Sequence, residues 1–296
     1  HARTILVMHD AEKLLEISEG SFDDTSEYQL LIRLLKEQTI TDDDGTRRLR
    51  DKEEKEDPSK VLLNPSDPEA TFRKKAGKKH LGYAANLTET VDQNKSLITD
   101  YAYEQNIYSD SQFLKEHLEN EPVYENKVVM VADGAYGSEI NVSKAAGHGI
   151  KLITTNFTGR KPADIFADFI FSEDGHELLE CINHQKPIYT HYDEHNDRCN
   201  AHFNKCDCEK CPYLSECNPQ LRVGYSLREL SWKAVNRAKQ LRYMKTDEFT
   251  EYAHFRNGVE ALVSLLRRKY HVDKIPTHGK KQTRFHFGFK VAALNF

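Results

Sequence analysis

Apolar side chains recur every three to four residues over 3–19 and again over 25–39, where Leu, Ile and Val make one stripe per segment and predict two helices. Lys79 to Glu89 and Ser96 to Tyr103 instead alternate polar and apolar positions, the pattern of two antiparallel strands. Ser109 to Glu119 returns to helical spacing. The segment Lys127-Val-Val-Met-Val-Ala-Asp-Gly-Ala-Tyr-Gly-Ser138 is a short apolar run closed by a glycine-bearing turn, and it predicts a buried strand with Asp133 at its tip. Small residues at helical spacing follow from Ser138 to Gly147, and Ile150-Lys-Leu-Ile-Thr-Thr155 is a second buried strand. Strand, helix, strand in that order predicts a parallel crossover, and chemistry in such sheets gathers at the carboxyl ends of strands, where Asp133 falls. An Asp that only caps the next turn is the alternative.

Short alternating stretches between Gly159 and Tyr225, such as Asp168 to Ser172 and Lys186 to Thr190, predict a β-rich region. Farther on, Val259, Leu262, Leu265 and Leu266 pack one face of a helix inward. On the same helix the steps of four from Arg256 to Glu260 and of seven to Arg267 set one carboxylate between two guanidinium groups on a single stripe. Such a stripe either handles phosphate or is a solvated face with ordinary salt bridges. Gly258 inside this helix costs about 1 kcal/mol relative to alanine and marks a close approach.

Charge alters this picture less by its sum than by its distribution. The net charge is −5 and the pI about 6.3, neither of which points to nucleic acid. From Arg267 to Phe296, however, there are eight Lys or Arg and one acid, and Arg73 to Lys79 carries five basic residues and no acid. Lys74, Lys75, Lys78, Lys79, Arg268, Lys269, Lys280, Lys281 and Arg284 are therefore candidates for binding a phosphate backbone, or else parts of solvated faces. Asp42 to Asp57 mixes eight acids with five bases without apolar periodicity and reads as a solvated linker. No run approaches the roughly 18 apolar residues of a membrane span, and the first twenty residues carry no signal pattern, so a soluble cytoplasmic protein is expected. Cys199, His202, Cys206, Cys208, Cys211 and Cys217 fall within 19 residues, with Cys181 outside. That spacing suits either a structural zinc site, built from Cys206 or Cys208, Cys211 and Cys217 with Cys199 or His202, or a set of reduced thiols.

Taken together, the segments around Asp133 and Glu260 resemble the DDE-type transposases of bacterial insertion sequences. Asp133 in Ala-Asp-Gly-Ala-Tyr-Gly-Ser matches the second of that family's three acids and Glu260 the third. The Arg256 to Glu260 interval fits the family's C-terminal signature, Arg267 stands at its lysine position, and Tyr252 lies one residue farther from the arginine than usual. Ser66 to Tyr83 resembles the loop and strand between the first and second acids. The resemblance runs from about residue 60 to 296 and is weak over 160–245. The first acid has no match, which suggests a fragment whose first carboxylate lies upstream of residue 1; Asp67 is the best internal substitute, and the abrupt end at Phe296 suggests truncation there also.

The resemblance implies an α/β fold: a ribonuclease-H-like mixed sheet flanked by helices, with a β-rich cysteine-bearing insertion before the last catalytic helix. It also implies an organisation of a helical segment 1–40, a charged linker 41–59, a first core part 60–159, the insertion 160–245, and a catalytic helix with a basic end over 246–296. The implied activity is DNA cleavage and strand transfer at insertion-sequence ends, using two Mg²⁺ or Mn²⁺ ions held by Asp133 and Glu260, with Arg256 and Arg267 on the phosphate. Transposon-end and target DNA would be the partners, a homodimer the working form, and the nucleoid the place. A nuclease of the same fold without strand joining, and a catalytically inactive DNA-binding remnant, are the alternatives.

Overall fold

Thr25 accepts the Tyr28 N–H and starts the helix Ser26–Gln38, which packs on the helix Ala2–Ser18 through Met8, Ala11 and Leu35. The computed structural model describes residues 2–51, 53–54, 57, 61–75, 77–92, 95–157 and 159–296. Two compact units result: His1–Asn120 with Val259–Phe296, and Glu121–Gly258. Both mix helices with small sheets, so the chain is an α/β protein.

In the first unit, part of the stretch that reads as a linker is a small hairpin. Thr39–Thr41 pairs with Arg47–Leu49, and Arg48 bonds to Asp42 at 3.0 Å and to Glu54 at 2.7 Å. Residues 52, 55–56 and 58–59 of that stretch lie outside the described residues. A three-stranded antiparallel sheet follows, Thr71–Lys75, Lys78–Asp92 and Lys95–Gln105, with a helix Asp110–Asn120 after it. The helix Lys280–Asn295 buries Thr283, Phe287 and Val291, a step of four that gives one face. Phe287 seats between Tyr101 and Tyr103, with ring centroids 5.6 and 5.4 Å away. Gly288 is required there, because a Cβ would meet the Tyr101 hydroxyl at 2.3 Å.

The second unit opens on the predicted crossover. Val128–Ala132 pairs in parallel with Ile150–Thr154, and the helix Glu139–Gly147 between them starts where Ser138 accepts the Asn141 N–H. An antiparallel sheet follows in the order Tyr189–Asp193, Arg198–Asn204, Tyr225–Leu230, Gln220–Leu221. Its apolar face joins Phe169, Phe171, Leu178 and Val235 in one core. The predicted strand over 186–190 begins three residues late: Pro187 has no N–H to give a ladder, and Ile188 makes the lead-in bond to His202 O at 2.7 Å. The predicted strand over 168–172 shortens to Ile170–Phe171 after a 3₁₀ turn, Asp164–Asp168, that Arg242 holds through both Asp168 oxygens at 2.6 and 2.8 Å. The helix Asp247–Arg268 starts in this unit and ends in the other.

Candidate active site

Asp133 directly follows the strand Val128–Ala132, with extended backbone at φ −69° and ψ 157°, and heads a single 3₁₀ turn, Gly134–Tyr136. The turn lies hard against the end of the second parallel strand. A Cβ on Gly134 would fall 2.0 Å from Asn156 O, and one on Gly137 would fall 2.7 Å from Thr154 Cγ2. Both glycines are thus demanded by close approach rather than by backbone angle. Asn156 Nδ2 donates to Asp133 Oδ1 at 3.2 Å, and Arg256 Nη2 stands 3.7 Å from Oδ2. The Asp133 side chain is 39% exposed and that of Arg256 21%, so the carboxylate is steered without being sealed from solvent.

Arg256 reaches this place because its helix is tied to the parallel pair at its first turn as well. Lys151, on the second strand, donates to Glu248 at 2.7 Å and lies over the Tyr243 ring at 4.5 Å. The bond to Lys151 holds the Glu248 carboxyl below its ordinary range, and the same bond raises Lys151. Sequence reasoning missed Lys151, Glu248 and Asn156; the one available signal was Asn156 following the apolar run at the edge where Asp133 emerges.

The remaining candidates lie in the other unit. Glu260 is exposed on the helix one turn after Arg256, and Arg267 stands 3.5 Å from Asp273, both mostly exposed. Asp67 is buried and accepts the Tyr83 hydroxyl at 2.6 Å while its carbonyl accepts the Ala70 N–H at 3.2 Å, a turn-holding arrangement. Burial, and next the bond to Asp67, raise the Tyr83 hydroxyl's pKa.

Across the Thr71–Lys75 hairpin the register sets Lys74 opposite Lys79 and Lys75 opposite Lys78, all four exposed. Like charges directly opposite are destabilising, and an anion relieves them. Lys281 and Arg284 lie exposed on the C-terminal helix beside the exposed Phe285 and Phe289 rings. Lys280 is engaged with Glu104, Arg268 with Ser264 at 3.0 Å, and Lys269 lies over the Tyr270 ring at 5.4 Å.

All six cysteines are free. Cys208, Cys211 and Cys217 line a cavity together with Cys181, whereas Cys206 is exposed. Cys199 is buried and accepts the Leu178 N–H at 3.4 Å, and His202 stacks on Tyr225 at 4.5 Å. Burial pushes the Cys217 thiol up to about 11. Among the described residues no three His, Cys, Asp or Glu side chains stand together so as to hold a metal ion as placed. Asp133 offers one carboxylate, beside a guanidinium and an amide, which by itself does not make a metal shell.

Residues 181–296 match the family described as Transposase DDE domain, so that part of the chain is similar to DDE-type transposases. The match takes in Arg256, Glu260, Arg267, the cysteines and the basic C-terminal helix, and it includes 181–245, where the resemblance drawn from motifs is weak. Asp133 lies outside it. No curated protein and no solved structure matches the chain.

Proposed function

We propose that this chain, similar to a transposase DDE domain over residues 181–296, is catalytic machinery of an insertion-sequence transposase that cuts and joins DNA at the element's ends. The observation that carries the reading is Asp133 at the carboxyl end of a parallel strand with Arg256, from the helix bearing Glu260, 3.7 Å away. On this reading the Val128–Thr154 crossover belongs to a ribonuclease-H-like core over 60–159 and 246–296, and the cysteine-bearing sheet is an insertion over 160–245.

Asp133 and Glu260 are the acids of the reaction, and Arg256 and Arg267 hold the phosphate, a role the planar guanidinium fork serves well. The family resemblance implies Mg²⁺ or Mn²⁺, which supplies charge stabilisation at the phosphate when bound. The lysines at the hairpin tip and Lys281 and Arg284 contact the DNA backbone, and two copies act on paired ends.

The test is incubation with labelled DNA carrying the element's ends and Mg²⁺ or Mn²⁺. End-specific nicks followed by joined products are expected. Nicks that never join would make the chain a nuclease, and salt-sensitive binding without any cut would make it a DNA-binding protein alone.

A further inference from the structure

Two loops of the Glu121–Gly258 unit carry four of the six cysteines to one place. Cys181 opens the turn after the strand Leu178–Glu180; its carbonyl accepts the His184 N–H at 2.9 Å, and its own N–H bonds to Gln185 O at 3.0 Å. Cys208, Cys211 and Cys217 lie on the short helices Lys205–Glu209 and Leu214–Cys217 and the bend between them. That bend is fixed by Cys211 N–H on Cys208 O at 3.1 Å and Cys217 N–H on Tyr213 O at 2.8 Å. The four thiols line a cavity of about 30 Å³.

Beside these thiols stand a buried cation and a hydroxyl. Arg228, whose Nη1 bonds to Cys217 O at 2.7 Å, leaves its buried Nε without a hydrogen-bond partner, and the fully buried Ser226 hydroxyl lies next to Cys208. A desolvated guanidinium edge calls for a negative neighbour, and a hydroxyl can donate to a thiolate. Neutral thiols do not provide one.

We propose that Cys181, Cys208, Cys211 and Cys217 form a tetrathiolate zinc site. Each thiol releases its proton to solvent as its sulfur bonds to Zn²⁺, so the completed site carries a net charge of minus two, which Arg228 offsets in part and to which the Ser226 hydroxyl can donate a hydrogen bond. As placed, the four cysteines around the cavity do not form a finished metal site among the described residues, so binding requires the 181–185 turn and the 205–217 segment to adjust. The set narrows and changes the one drawn from spacing: Cys208 rather than the exposed Cys206 joins Cys211 and Cys217, and the remote Cys181 stands in place of Cys199 or His202. Zinc here staples the sheet's loops and takes no part in DNA chemistry.

The test is the metal content of the full chain purified under reducing conditions, with Co²⁺ loaded into the stripped protein. About one zinc per chain is expected, kept by Cys206→Ser and lost or weakened at least tenfold in affinity in Cys181→Ser. The Co²⁺ thiolate absorption should have four-sulfur intensity in the unaltered chain and in Cys206→Ser. Should Cys181→Ser fail to fold, those two spectra decide. A chain without zinc that gives no cobalt–thiolate band, a three-sulfur spectrum, or loss of metal in Cys206→Ser alone would overturn the proposal. None of these readouts depends on DNA cleavage.

Discussion

Asp133 is positioned by three neighbours: the glycine turn behind it, Asn156 at 3.2 Å and Arg256 at 3.7 Å. Gly134→Ala would drive a Cβ into Asn156 O, 2.0 Å away, and should cost roughly 1–3 kcal/mol in urea unfolding, as overpacking does. It should also depress end cleavage more than DNA binding, because the displaced turn carries the carboxylate. Arg256→Ala should lower cleavage at least tenfold, and Arg256→Lys should restore only part of it, since an ammonium lacks the planar fork. Equal activity of the two variants would show that Arg256 supplies no geometry. The place of Asp133 at the end of a strand was legible in the sequence, because an apolar run closed by Asp-Gly reads as a strand and turn. Asn156 was not, because its role arises from the parallel pairing that brings residue 156 back beside residue 133.

The elements with long, regular periodicity were readable: the two amino-terminal helices, the long hairpin and the crossover lie within three residues of their expected ends. Short elements were not, since Arg47–Leu49 is a strand only through its partner and the two carboxylates on Arg48. Cys181 joined the other thiols only through a turn no local pattern announces. Two predictions belong to this scale. Gly288→Ala should loosen the C-terminal helix from the sheet by about 1–3 kcal/mol, because the new methyl meets the Tyr101 hydroxyl; an unchanged thermal midpoint would refute that packing. Lys78→Glu with Lys79→Glu should act in opposite directions on two readouts. Facing Lys75 and Lys74, the new acids convert like-charge pairs into ion pairs and should stabilise the fold by about 0.2–1 kcal/mol per pair. The same change should weaken DNA binding and flatten its dependence on salt. If affinity is unaltered, the hairpin does not touch DNA.

At the scale of the whole chain, charge bears on the pH range of stability and, on the proposed function, on where DNA would bind. The Arg242 guanidinium holds the Asp168 carboxyl below its ordinary range, so that pair's stabilisation is fully present above the unfolded carboxylate pKa and is lost as pH falls through the lowered folded value. Thermal midpoints should therefore drop below about pH 4 more steeply in the unaltered chain than in Asp168→Asn; parallel curves would remove this pair from the account. On the proposed function, a net charge of −5 leaves DNA affinity to the segregated basic segments, and that affinity should depend strongly on salt. The most direct test of the central claim compares the unaltered chain with Asp133→Asn on labelled element-end DNA in Mg²⁺, reading binding and cleavage on the same sample. Unchanged binding with cleavage reduced at least a thousandfold is expected, as when a group essential to the reacting phosphate is removed. Cleavage by Asp133→Asn at the unaltered rate would contradict it.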